Sequence, residues 1–202
     1  MKIKICGLKT IEDIQYINKF KPDFAGFIFA PQSKRKISFE QALLMKQELN
    51  KNIKSVGVFS DDSIENILTA VKNNIIDYIQ LHGDESNDYI EILKSKTKAP
   101  IIKALKADNE LQEKINTTKA DYVLIDSSDK NSFGGTGKVF DWGLIPECNK
   151  KIFLAGGLNV QNIESAIKTV NPYCVDINSG VETNGKKDPK KIEEIMNFIK
   201  RI

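Results

Sequence analysis

Residues 2–7, Lys2-Ile3-Lys4-Ile5-Cys6-Gly7, form a short β-branched run that ends in a thiol and a glycine. Side chains alternate faces along a strand, so Lys2, Lys4 and Cys6 share one face while Ile3 and Ile5 share the other. The isoleucine face calls for helical cover, which leaves the face with a lysine below a cysteine pointing into something polar. An ordinary buried cysteine at the strand tip satisfies the same pattern, because free Cys is among the most buried residue types. Gly7 lets the backbone turn or approach a ligand closely, and Thr10 is placed to cap a helix beginning near Ile11. The opening unit is therefore strand, glycine turn and capped helix.

The chain repeats that unit. Phe24 to Phe29 reads as a second strand, followed by a basic loop, Pro31 to Lys36, and by a capping box at Ser38-Phe39-Glu40-Gln41. Ser55 to Phe59 is a third strand, and the spacing of Asp62-Ser63-Ile64-Glu65 suits a capped helix start. Tyr78 to Leu81 makes a fourth, ending at His82-Gly83, with the acidic pair Asp84-Glu85 placed to favour a helix N-terminus. Pro100 to Leu105 is a fifth, and Tyr122 to Asp126 a sixth with a carboxylate at its tip. Lys151 to Leu154 is the seventh, leading into Ala155-Gly156-Gly157 and a helix capped at Asn159. Tyr173 to Asn178 is the eighth, ending in Ser179-Gly180, and Asp188-Pro189 opens the final helix.

Strands starting near residues 2, 24, 54, 77, 100, 121, 151 and 173 are 21 to 30 residues apart, and each gap holds a helical segment. Strands joined by helical crossovers run parallel, and eight of them close into a barrel without a free edge. The expected fold is thus α/β, one single-domain (β/α)8 TIM barrel with a parallel eight-stranded core over residues 1–202. An open doubly wound sheet is the alternative, but the first turn, Gly7-Leu8-Lys9-Thr10-Ile11-Glu12, lacks the Gly-x-Gly-x-x-Gly fingerprint. Gly134-Gly135-Thr136-Gly137-Lys138 tempts a P-loop reading, which fails because Ser132 stands where the first glycine belongs and Val139 follows the lysine. The stretch from Ser127 to Lys138 reads instead as a lid.

Composition narrows the function classes. With 202 residues, 41% of them hydrophobic, the chain can bury one sizeable core. The formal charge of +3 is spread along the whole length, which argues against nucleic acid or a membrane surface as partner. No apolar run approaches the ~18 residues of a membrane span, and Met1-Lys2 leads straight into a strand, so a cytoplasmic protein is expected. Three scattered cysteines and one histidine give neither a disulfide framework nor a metal-ligand spacing, so no metal is expected.

In a barrel the strand C-termini meet at one face, which makes neighbours of Cys6, His82, Asp126, Gly156-Gly157 and Ser179-Gly180. Glycine turns after strands seven and eight, each before a helix start, expose backbone N–H groups and suit a phosphate; tight turns alone would explain either pair. A thiolate can serve as base and a protonated carboxyl as acid, so Cys6 and Asp126 suit proton transfer. Lys4 on the cysteine's face is expected to lower the thiol pKa, and desolvation to raise that of Asp126. Arg35 can clamp a carboxylate through its planar fork, although a solvated basic loop fits the composition equally. His82 reads as structural or substrate-positioning.

Taken together these residues resemble the phosphoribosylanthranilate isomerase family. The resemblance covers nearly the whole chain and rests on Lys4-Ile5-Cys6-Gly7, Gly26 to Arg35, Val56 to Phe59, Gln80-Leu81-His82-Gly83, Gly134 to Lys138 with Phe140-Asp141-Trp142, Ala155 to Asn159, and Asp176 to Glu182 with Lys187-Asp188. It implies an Amadori rearrangement of N-(5-phosphoribosyl)anthranilate to 1-(2-carboxyphenylamino)-1-deoxyribulose 5-phosphate, without a cofactor, in a monomer or homodimer. It further implies Asp126 as general acid, Cys6 as general base, Arg35 on the anthranilate carboxylate, His82 and Asp176 on substrate, and Gly156, Gly157, Ser179 and Gly180 on phosphate. Asn178 departs from the family pattern, which usually has serine there. Two other readings stand beside this one. A sister barrel acting on a related phosphosugar is one, its epimerase form needing metal ligands that a single histidine does not supply; a non-catalytic phosphosugar-binding barrel is the other, with no need for both Cys6 and Asp126.

Overall fold

Eight parallel strands close on one another in chain order in the computed structural model, which describes residues 1–126 and 142–201. They are β1 (Lys2–Ile5), β2 (Phe24–Ile28), β3 (Lys54–Phe59), β4 (Tyr78–Leu81), β5 (Ile101–Lys106), β6 (Tyr122–Asp126), β7 (Lys151–Ala155) and β8 (Cys174–Ile177). The ladder from β1 back to β8, with Lys4 beside Asp176, closes the ring. The expected barrel is therefore the observed one. The helices are α1 (Ile11–Phe20), α2 (Phe39–Glu48), α3 (Ile64–Lys72), α4 (Asn87–Lys96) and α5 (Leu111–Thr117) in the first five connections, α6 (Ile163–Val170) between β7 and β8, and α7 (Pro189–Ile199) after β8; the described part of the β6–β7 connection holds only a 3-10 turn. None of these helices is long and apolar enough to cross a membrane.

Period-two alternation sorts the side chains into two cores. Ile3 and Ile5 face outward under the helices with Ile14, Ile17, Ile192 and Ile195, while Phe24, Val56, Ile102, Leu124, Phe153 and Cys174 fill the barrel's interior. Two residues further along β8 and β4, the interior turns polar. There Lys4, wholly buried, reaches Asp176 on the neighbouring strand at 2.7 Å and Gln80 across the lumen at 2.8 Å. Stranding either charge of such a buried pair costs about 3–5 kcal/mol, so this layer is fixed in place.

The helix starts show where local signals were sufficient. Thr10 caps α1 as expected and forms a full box with Asp13, Ser38 and Gln41 form the expected capping box, and Asp188 caps α7 with Pro189 at its first position. Three starts differ. Ser63 rather than Asp62 caps α3, since its hydroxyl accepts from Asn66 N. Ser86 caps α4, and the acidic pair stands before the helix: Glu85 is buried, accepting from Lys103 Nζ at 2.6 Å and from the backbone of Asp61 and Gly83. Asn159 closes a turn onto Gln161 N instead of capping, and α6 begins at Ile163. The lid expected at Ser127 to Lys138 lies outside the described residues; Trp142–Leu144 is a single 3-10 turn.

A small hairpin after β8 has no counterpart in the sequence reading. β9 (Glu182–Thr183) and β10 (Lys186–Lys187) are antiparallel around Asn184-Gly185, both of which have positive φ. That is the conformation a two-residue type I′ turn requires. It sets Glu182 directly opposite Lys187.

Candidate active site

The C-terminal ends of the strands surround a cavity of about 420 Å³ whose wall includes Cys6, Arg35, His82, Asp126, Gly156, Gly157, Asp176 and Ser179. Eight of the nine residues singled out for chemistry or binding thus meet at one place. Gly180 does not line the cavity. A Cβ there would collide with the Leu158 carbonyl, so Gly180 lets the loops after β7 and β8 pack against each other. A wider cleft of about 770 Å³ opens beside the cavity over β4 and β5 and shares Ser60, His82 and Asp126 with it. It reaches neither the thiol nor the glycine turns, which both line the smaller cavity.

Cys6 follows β1 and packs beside Ile28, Ala30 and Val58. Its place depends on β2, because a Cβ on Gly26 would stand 2.6 Å from the Cys6 sulfur. Contrary to the expectation from Lys4, the thiol pKa is raised: burial is the largest influence and outweighs the opposing pull of Lys4, while Asp176 pushes the same way as burial. Lys4 does pull on the thiol, but it is paired with Asp176, whose negative charge offsets part of that pull. Burial alone would discharge that lysine, yet the Asp176 carboxylate holds its pKa above the ordinary value. Asp176 Oδ1 is buried in the cavity wall and has no hydrogen-bond partner among the described residues. An acceptor so placed is costly unless a ligand donor meets it.

On the opposite side, Asp126 ends β6 and lies 3.6 Å, Oδ2 to Nε2, from His82. Arg35 enters the cavity wall from the loop after β2, and Gly7 gives it room, since a Cβ there would stand 2.6 Å from Arg35 Cδ and from Asn178 Oδ1. The fork of Arg35 already holds a carboxylate. Nε donates to Glu182 Oε1 at 2.7 Å and Nη2 to Oε2 at 2.6 Å, and Lys187 Nζ adds a bond to Oε1 at 2.9 Å. Burial alone would raise the Glu182 carboxyl, but Arg35 and then Lys187 outweigh it and hold its pKa at about 2. Glu182 leaves the remaining guanidinium N–H groups as the donors that Arg35 can offer to any other acceptor.

Lys187 also donates to Asn178 O and Oδ1, which braces Asn178. Glu182, Lys187 and Gln80 were quoted in the sequence only as parts of motifs, with no role given to them. Asn184-Gly185 was the available signal for the first two. Gly156 and Gly157 have φ of 98° and 62°, and a Cβ on Gly157 would meet nothing within 4 Å. The turn therefore needs glycine for its backbone, and open space lies in front of it.

Comparison with known proteins gives the same direction. Residues 3–198 match the family described as N-(5'phosphoribosyl)anthranilate (PRA) isomerase. The N-(5'-phosphoribosyl)anthranilate isomerase of Endomicrobium trichonymphae is 47% identical over 201 residues, covering 100% of this chain and 99% of the relative. A phosphoribosyl anthranilate isomerase solved with reduced 1-(o-carboxyphenylamino)-1-deoxyribulose 5-phosphate superposes with a TM-score of 0.85 at 32% identity, with all of both chains covered. Monomers made from the dimeric Thermotoga maritima enzyme superpose with a TM-score of 0.84, again at 32% identity and full coverage.

Proposed function

We infer, since the chain belongs to the N-(5'-phosphoribosyl)anthranilate isomerase family, that its cavity performs that isomerisation by general acid–base catalysis with Asp126 as acid and Cys6 as base. The reaction belongs to tryptophan biosynthesis and turns an aminoaldose into an aminoketose. Asp126 protonates the ribose ring oxygen as the C1–O bond breaks and the anthranilate nitrogen forms a Schiff base with C1. Cys6 then removes the C2 proton, giving an enolamine that tautomerises to the 2-ketone. The observation that carries these roles is the single cavity whose wall holds both a thiol, just after β1, and a carboxyl, at the end of β6, together with the glycine turns. Asp176 Oδ1, the unpartnered acceptor, receives a substrate O–H or N–H. The direct test is complementation of a tryptophan auxotroph lacking this one step; a chain that expresses and fails to restore growth would refute the assignment.

Arg35 takes the anthranilate carboxylate on its remaining N–H groups while Glu182 holds the other edge. Arg35→Ala is expected to raise KM roughly 10- to 100-fold, the equivalent of about 1.5–3 kcal/mol for hydrogen bonds to a charged group. Lys in its place should recover part of this, because an ammonium cannot reproduce the fork. An unchanged KM in steady-state kinetics would leave the loop merely solvated.

The turns at Gly156-Gly157 and at Ser179 hold the substrate phosphate, so inorganic phosphate should compete with substrate. Gly157→Asp is the sharp probe: no atom obstructs its Cβ, and because a side chain at this left-handed φ carries backbone strain, Gly157→Asn, with the same strain and no charge, is its control. Competition should disappear in the aspartate variant. Absence of competition in the parent protein, with phosphate far above substrate, would place the phosphate elsewhere.

A further inference from the structure

Gln80 stands almost fully buried between a lysine and the histidine. Lys4 Nζ donates to its Oε1 at 2.8 Å, and its Nε2 lies 2.9 Å from His82 Nδ1. An ammonium has donors only, so the amide cannot turn round: Oε1 must face Lys4, and the NH₂ group must face the imidazole. Nδ1 of His82 must then accept. The neutral ring carries its proton on Nε2, the nitrogen 3.6 Å from Asp126 Oδ2, a separation of the kind that tightens when substrate binds. Lys4 is itself held by Asp176 at 2.7 Å, so the row begins at an immobile point.

We propose that Lys4 and Gln80 are positioning residues for the reaction, which lock His82 in its Nε2–H tautomer so that it presents a donor, never a lone pair, to Asp126. The consequence is chemical. Oδ2 of Asp126 becomes the accepting oxygen, and the proton that Asp126 gives to substrate is carried on Oδ1. The ion pair below the cavity thereby sets which oxygen of the acid is loaded, although neither Lys4 nor Gln80 is the acid. This role rests on the assignment of Asp126 as acid; the tautomer itself does not.

The chain contains one histidine, so ring-¹⁵N NMR of the intact protein reports this imidazole alone. The parent protein should show the Nε2–H pattern near neutral pH. Gln80→Glu offers a carboxylate to both neighbours and accepts from Nδ1–H, which should reverse the tautomer and lower kcat roughly 10- to 100-fold with KM little changed. Gln80→Met removes the donor without adding charge; it should give a mixture of tautomers and a smaller loss of kcat, and it serves if the glutamate variant does not fold. A parent ring protonated at Nδ1 would overturn the lock. So would a variant whose tautomer changes while kcat stays at the parent value. Full turnover by Asp126→Asn, with the parent tautomer intact, would instead remove the acid that the lock serves, so the two failures are told apart.

Discussion

Asp126→Asn is expected to lower kcat roughly 10²- to 10⁴-fold with KM little changed, the range over which general acid–base groups contribute. Asparagine keeps the shape of the side chain and still offers polar atoms to His82, but it has no proton to give to the ring oxygen. Ring opening then becomes the slow step. Because Schiff-base formation precedes proton abstraction, the variant should also exchange the substrate's C2 proton with solvent far more slowly than the parent, although its base is untouched. Its pH profile should change form as well. With no carboxyl to protonate, the residual rate should climb with pH until the Cys6 thiol is ionised. Near-parent turnover, or unchanged C2 exchange, would show that Asp126 is not the acid.

The barrel was legible because its signal is redundant. Eight apolar runs each end in a glycine, a small residue or a chemistry-bearing side chain, and each reports the same unit, so an error of one residue at Pro100 or Tyr173 changes nothing. The site was legible at strand tips for the same reason, since parallel closure gathers whatever stands there. Contacts that depend on closure itself were not. Arg35 and Glu182 are 147 positions apart, and nothing local to either says that an arginine facing the cavity also anchors the loop after β8. Glu85 looks like a helix-start residue until Lys103 from β5 arrives to bury it. Cys6 is the instructive case: its neighbour was identified correctly and its pKa shift was not, because burial, which only the closed barrel creates, outweighs Lys4, and Asp176 pushes the same way as burial.

Cys6→Ser is expected to cost a similar 10²- to 10⁴-fold in kcat, since a hydroxyl is a far weaker base than a thiolate. The raised thiol pKa makes a further prediction about sign. Catalysis needs a deprotonated thiol together with a protonated carboxyl, while a carboxyl ordinarily ionises several pH units below a thiol. Burial widens that gap by pushing the thiol up. The productive combination is then a minor form whose abundance is level between the two pKa values, because each gain in thiolate is matched by a loss of carboxylic acid. Below the carboxyl pKa, kcat/KM falls with pH as thiolate alone is lost; above the thiol pKa it falls as acid alone is lost. The alkaline break of the bell therefore belongs to Cys6 and should lie above an ordinary thiol's value. In Cys6→Ser that break should leave the accessible range while the acidic break remains. The variant should still open the ring reversibly and should accumulate no substrate exchanged at C2. A thermal melt close to the parent's would separate these effects from the cost of burying a hydroxyl. Should Cys6→Ser keep both breaks and near-parent turnover, the base lies elsewhere and the first strand merely buries a cysteine.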